Sequence, residues 1–129
     1  MINERQLLFN LDEETNSNQF YRKIIYTSNH MQLVLMNLLP GEKVPYEIHK
    51  HADQFVKVES GECYIDLRYN YSDMNELVYT DSKHEYHLVP GDSFIIPAGV
   101  EHKIDNPFEE ELKIYTVYSK PIHKHDRYE

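Results

Sequence analysis

An all-β fold, a sandwich or a closed barrel, is what this sequence predicts. Three observations carry that expectation. Short runs of β-branched and aromatic residues recur along the chain, and turn dipeptides separate them. The aromatic content leans to strand formers, with 11 Tyr and 5 Phe. Helical spacing is weak everywhere, with Glu4–Glu14 its one stretch, and Asn10 interrupts that.

Taken in order, the first element is a polar segment, Asn10–Asn18, read as exposed ahead of the first core strand. Strands are expected at about Arg22–Thr27, Gln32–Leu39, Glu47–Lys50, Gln54–Glu59 and Cys63–Tyr69. Further strands are expected at about Glu76–Thr80, Tyr86–Leu88, Ser93–Ile96, His102–Asp105 and Lys113–Tyr118. Pro40-Gly41, Ser60-Gly61, Pro90-Gly91 and Asn106-Pro107 punctuate them. The stretch Asn70–Lys83 is polar and longer than a tight hairpin needs, so it reads as a protruding insertion. Pro121–Glu129 reads as a surface tail or an arm that crosses to a partner.

Composition bounds the function. A chain of 129 residues allows one domain with one core. The longest apolar run, Leu33–Met36, is far too short to span a bilayer, and Met1–Asn10 has no signal-peptide core. The expectation is therefore a cytoplasmic protein with no membrane partner. Its net charge of −9, with no basic patch, excludes nucleic acid as the expected partner. The single cysteine, Cys63, allows no intramolecular disulfide and reads as a small core residue with a protonated thiol. No G-x-S-x-G elbow, P-loop or G-x-G-x-x-G is present.

One constellation carries chemistry. The segment GEKVPYEIHKHADQFVKVESGE sets out Gly41, His49, His51, Gln54 and Gly61. The segment GDSFIIPAGVEHKIDN sets out Gly91, Pro97, Gly99, His102 and Asn106. On a strand, His49 and His51 would face one side and share one ion. Gln54 would add an oxygen from the next strand, and His102 a third imidazole from a distant one. Three imidazoles and one oxygen suit a divalent transition metal (Zn, Ni, Fe, Mn or Co) rather than Ca. Glu47 falls on the same side by alternation and is the candidate catalytic carboxylate, as a base or as a group that orients a ligand. The same alternation turns Val56, Val58 and Ile104 inward and Lys57 outward. Tyr46, Tyr64 and Tyr115 are candidate pocket hydroxyls. His30, His84 and His87 read as solvent-facing, and His123 and His125 as members of a charged tail. The glycines and Asn106 read as turn formers.

The second segment, G-x5-P-x-G-x2-H-x3-N, matches the second cupin motif at every defined position. The first, G-x7-H-x-H-x2-Q-x6-G, resembles the first cupin motif. It departs from it in three ways. Gln54 stands for the usual Glu, the His51–Gln54 gap is one residue short, and seven rather than five residues separate Gly41 from His49. With the wording around them, the likeness covers about Phe20–His123 and resembles small cupins labelled mannose-6-phosphate isomerase-like. It implies a cupin double-stranded β-helix (jelly-roll) barrel with a metal in its mouth. The whole chain, 1–129, would be one cupin domain: an arm at 1–19, a barrel at 20–120 and a tail at 121–129. It also implies a homodimer, in which Glu4–Phe9 would cover a partner's strand edge. The neutral Gln would leave the ion a strong Lewis acid. The leading functional expectation is an isomerase- or tautomerase-like enzyme acting on a small oxygenated molecule such as a sugar or sugar acid. An iron-dependent cupin dioxygenase and a non-enzymatic sugar-binding barrel are the alternatives.

Overall fold

A computed structural model describes residues 7–68 and 84–128. The expected Glu76–Thr80 strand and the Asn70–Lys83 insertion lie outside the described residues, as does the first half of Glu4–Phe9.

Asn10 starts a helix rather than interrupting one. Its side chain accepts a hydrogen bond from the Glu13 backbone N–H at 3.0 Å, which satisfies a donor the helix leaves free. Helix α1 runs Leu11–Ser17 with three acids, Asp12, Glu13 and Glu14, at its positive end. It packs against the sheet through the fully buried Thr15, so the segment expected to be exposed is half docked.

The described strands are β1 Lys23–Thr27, β2 Gln32–Leu38, β3 Lys43–Glu47, β4 Gln54–Ser60, β5 Cys63–Arg68, β6 His84–Leu88, β7 Ser93–Ile96, β8 Glu101–Asp105 and β9 Leu112–Tyr118. They form two sheets, β1-β2-β9-β4-β7 and β3-β8-β5-β6, with every pairing antiparallel. This is the all-β jelly roll the sequence predicts. Alternation writes the core directly. Leu112, Ile114, Thr116 and Tyr118 of β9 are buried, and so are Gln54, Val56 and Val58 of β4 and His102 and Ile104 of β8. Each large apolar side chain fully buried here contributes about 1.5–3 kcal/mol.

Strand β3 is the main departure from expectation. It was expected over Glu47–Lys50 but ends at Glu47. Its ladder with β8 pairs Lys43 with Asp105, Val44 with Ile104 and Glu47 with His102. Past Glu47 the chain leaves the sheet and turns at Lys50 and His51.

Two turn residues hold this end of the barrel. Asn106 is fully buried and has both ends of its amide satisfied. Its Nδ2 donates to the carbonyls of Leu38 at 3.0 Å and Glu110 at 2.9 Å, and its Oδ1 accepts from Phe108 N–H. Gly61 has φ of +80°, and a Cβ there would collide with the Glu111 carbonyl and Leu112 Cα.

Candidate metal centre

Antiparallel pairing of β3 with β8 places Glu47 opposite His102. His49 follows one residue beyond the strand's last neighbour, where its own carbonyl accepts from Gly99 N–H at 2.9 Å. That bond ties the segment after β3 to the Pro97–Gly99 turn leading into β8. Asp53 secures the same region: its Oδ1 accepts from Ala98 N–H at 2.9 Å, while its own N–H donates to Ser119 Oγ.

The result is a compact donor cluster of Glu47, His49 and His102, whose ligand atoms all lie within 4.8 Å of one another. Glu47 Oε1 is 3.2 Å from His49 Nε2 and 3.5 Å from His102 Nε2. The two imidazole centroids are 5.2 Å apart. Burial alone would raise the Glu47 pKa. The two imidazoles beside it outweigh burial and hold the carboxyl well below its ordinary range.

The cluster has the signature of an ion site. His102 is 1% exposed, and its Nδ1 donates to the Val100 carbonyl at 3.1 Å. That bond leaves the Nε2 lone pair pointed at a carboxylate oxygen, with no hydrogen-bond partner. A buried lone pair facing an anion is unfavourable unless a cation or proton lies between them. Gln54 is buried as well, and its Oε1 also lacks a partner. Two nitrogens and a carboxylate oxygen form a donor set that fits a divalent transition ion.

Of the sequence-predicted residues, His49, His102 and Glu47 are brought together. Gln54 is buried on β4 with its oxygen free. His51 stands apart: it is exposed on the turn after β3, outside the Glu47–His49–His102 cluster. Strand alternation placed it beside His49, and that alternation stops where β3 ends. Five residues, not seven, separate Gly41 from Glu47, and four separate His49 from Gln54. With Glu47 at the first ligand position, the spacing from Gly41 becomes the usual five, and the gap to Gln54 is one residue long instead of one short.

The candidate tyrosines are corrected too. Tyr46 carries the Arg68 guanidinium over its ring at 3.8 Å, Tyr64 stacks on Phe108, and Tyr115 packs on Phe55. The tyrosine at the site is Tyr118, 5.4 Å from His49 ring to ring. Its inward alternation with Ile114 and Thr116 was the available signal. His123 was also missed. It is not adrift in a surface tail, because Tyr118 Oη lies 3.1 Å from its Nε2. Tail residues fold back onto β1, where Arg22 and Arg127 form a backbone bridge and Ile24 N–H donates to Asp126. Cys63 is a fully buried free thiol, and burial, with Asp92 adding, pushes its pKa up to about 12.

Jelly-roll sheets with candidate metal donors brought together at the end of β3 and on β8 have the form of a cupin barrel, and similarity to known proteins agrees. Residues 76–118 match the cupin domain family. Protein L612 of Acanthamoeba polyphaga mimivirus is 39% identical over 94% of this chain, which spans 70% of that protein. YrkC of Bacillus subtilis is 30% identical over 92% of the chain, which spans 60% of it. The crystal structure of BH2720 from Bacillus halodurans superposes with a TM-score of 0.80 at 30% identity, covering 97% of this chain and 89% of that one. The formate complex of oxalate decarboxylase from Lactobacillus farciminis shares the fold at 17% identity and a TM-score of 0.61, covering 74% of this chain and 26% of that one. The chain belongs to the cupin superfamily.

Proposed function

We propose that this cupin is a metal-dependent enzyme acting on a small oxygenated molecule, a sugar or sugar acid, in an isomerisation or tautomerisation. The observation that carries the reading is the Glu47, His49 and His102 donor cluster, in which the buried His102 Nε2 has no hydrogen-bond partner. In this reading His49, His102 and Glu47 hold a Zn, Ni, Fe, Mn or Co ion, and Gln54 supplies a further oxygen. Such an ion, when bound, supplies Lewis acidity to a substrate carbonyl or hydroxyl oxygen. The Glu47 oxygen lies against both imidazoles, which favours a donor role over the two roles expected from sequence, a base or a group that orients a ligand. The Val100 carbonyl fixes the His102 ring, and buried Val56, Val58 and Ile104 give the barrel interior a dry wall. That a cupin neighbour holds formate supports a small oxygenated ligand. We further infer a cytoplasmic homodimer. Exposed Leu7 and Leu8 on the arm support the dimer, and the single free thiol supports the compartment.

The test is to incubate zinc-, nickel- or manganese-loaded protein with aldoses, ketoses and hexuronates in D2O and follow the reaction by NMR. Deuterium entering the carbon next to the carbonyl is expected. Oxygen uptake by iron-loaded protein without that exchange would replace the isomerase with an oxygenase. Saturable binding without turnover would leave a ligand-binding barrel.

A further inference from the structure

One rung of the larger sheet carries three polar residues side by side. Tyr118 of β9 is the register partner of Gln32 on β2 and of Gln54 on β4. All three side chains are buried at 2% exposure or less, in a rung where apolar residues would be expected. Each has a distinct task. The Gln32 amide grips the tail backbone: its Nε2 donates to the His123 carbonyl at 2.7 Å. Its Oε1 accepts from the N–H groups of Ile122 at 3.0 Å and His123 at 2.9 Å. This grip delivers the His123 ring to Tyr118. The Tyr118 hydroxyl then pairs with His123 Nε2 at 3.1 Å and accepts from Gln54 Nε2 at 3.4 Å.

The direction of these bonds matters. A tyrosine hydroxyl has one proton. If that proton goes to His123, the oxygen can only accept from Gln54, so the Gln54 nitrogen turns to Tyr118 and its oxygen turns away. That oxygen is the buried Oε1 that has no hydrogen-bond partner.

We infer that His123 is a positioning residue: through Tyr118 it fixes the orientation of the Gln54 amide and presents Oε1 to the metal centre. The inference rests on the proposed metal reading of that centre. It assigns the tail a task at the barrel mouth, executed through a hydroxyl rather than by contact with the ion. Groups that orient ligands in this way are commonly worth tenfold to a hundredfold in metal affinity.

Zinc affinity measured by calorimetry on wild type, Tyr118→Phe, His123→Phe and His123→Gln is the test, with melting curves confirming that each variant folds. Tyr118→Phe and His123→Phe are expected to weaken zinc binding by about tenfold or more. His123→Gln, whose amide oxygen falls near the place of Nε2, is expected to restore most of it. Wild-type affinity in His123→Phe would overturn the inference. Equal losses in His123→Phe and His123→Gln would overturn it too, because tail docking rather than the acceptor atom would then be what matters. If wild-type protein binds no zinc, the metal reading fails, and the orientation is decided on metal-free protein. The Gln54 side-chain amide NMR signals should then move in Tyr118→Phe and His123→Phe but hold in His123→Gln. Unmoved signals in His123→Phe would overturn the inference.

Discussion

Glu47 and His102 are register partners across β3 and β8, and Oε1 of the first lies 3.5 Å from Nε2 of the second. The pairing joins two distant segments of the chain at one rung, with His49 Nε2 3.2 Å from the same oxygen. Glu47→Ala should therefore weaken zinc binding at least as much as losing an orienting partner would, about tenfold or more. His51→Ala should leave it unchanged, because His51 is exposed on the turn. Calorimetry on the two variants checks both, and a loss confined to His51→Ala would reverse the assignment.

Asn106 satisfies three backbone groups from inside the barrel wall. Asn106→Ala strands the Leu38 carbonyl in a buried place and removes the support of the turn before β9. Urea unfolding should show a loss of about 2–4 kcal/mol. A loss under about 0.5 kcal/mol, the range of ordinary surface substitutions, would mean the turn holds without it.

The Cys63 thiol should resist alkylation in the folded protein. Its pKa is raised from 9.0 to about 12, mainly by burial, and the sulfur is sealed in the core. Between those values the folded state binds more protons than the unfolded one. This contribution to stability is therefore present below pH 9 and lost as pH rises toward 12. Iodoacetamide at pH 8.5 should label the unfolded chain and spare the native one. Rapid native labelling would contradict the burial.

His123 should contribute an acid-side dependence of the opposite sign. Its pKa is depressed to about 4, by burial first and then by the Arg22 cation. The unfolded chain takes up a proton near pH 6.5, and the folded one resists until about 4. Stability from this group is thus intact above pH 6.5 and lost as pH falls through 4. Unfolding midpoints at pH 7 and pH 4.5 should fall further apart in wild type than in His123→Gln. Equal gaps would remove His123 from the acid response.

The sheets were legible because burial alternates along β4, β8 and β9, and because glycine- and proline-containing turns break the strands. Motif spacing pointed to His49 and His102 and strand alternation to Glu47, and the structure brings these three side chains together. His51 misled because alternation was carried past Glu47, and only the cross-strand register shows where β3 stops. Asn10 misled because a helix-capping asparagine and a helix-breaking one look alike until the acids after it are weighed. His123 could not be found by spacing, since its place depends on Gln32, distant in the chain, gripping the tail backbone.

Metal content is the measurement that bears most directly on the site. Protein purified without tag or chelator should carry close to one transition-metal ion per chain by elemental mass spectrometry. The His49→Ala/His102→Ala double variant should carry almost none, while His51→Ala stays loaded. A folded wild-type protein that holds no metal, even after reconstitution with zinc, nickel, manganese, cobalt and iron(II), would contradict the reading of Glu47, His49, Gln54 and His102 as a metal centre.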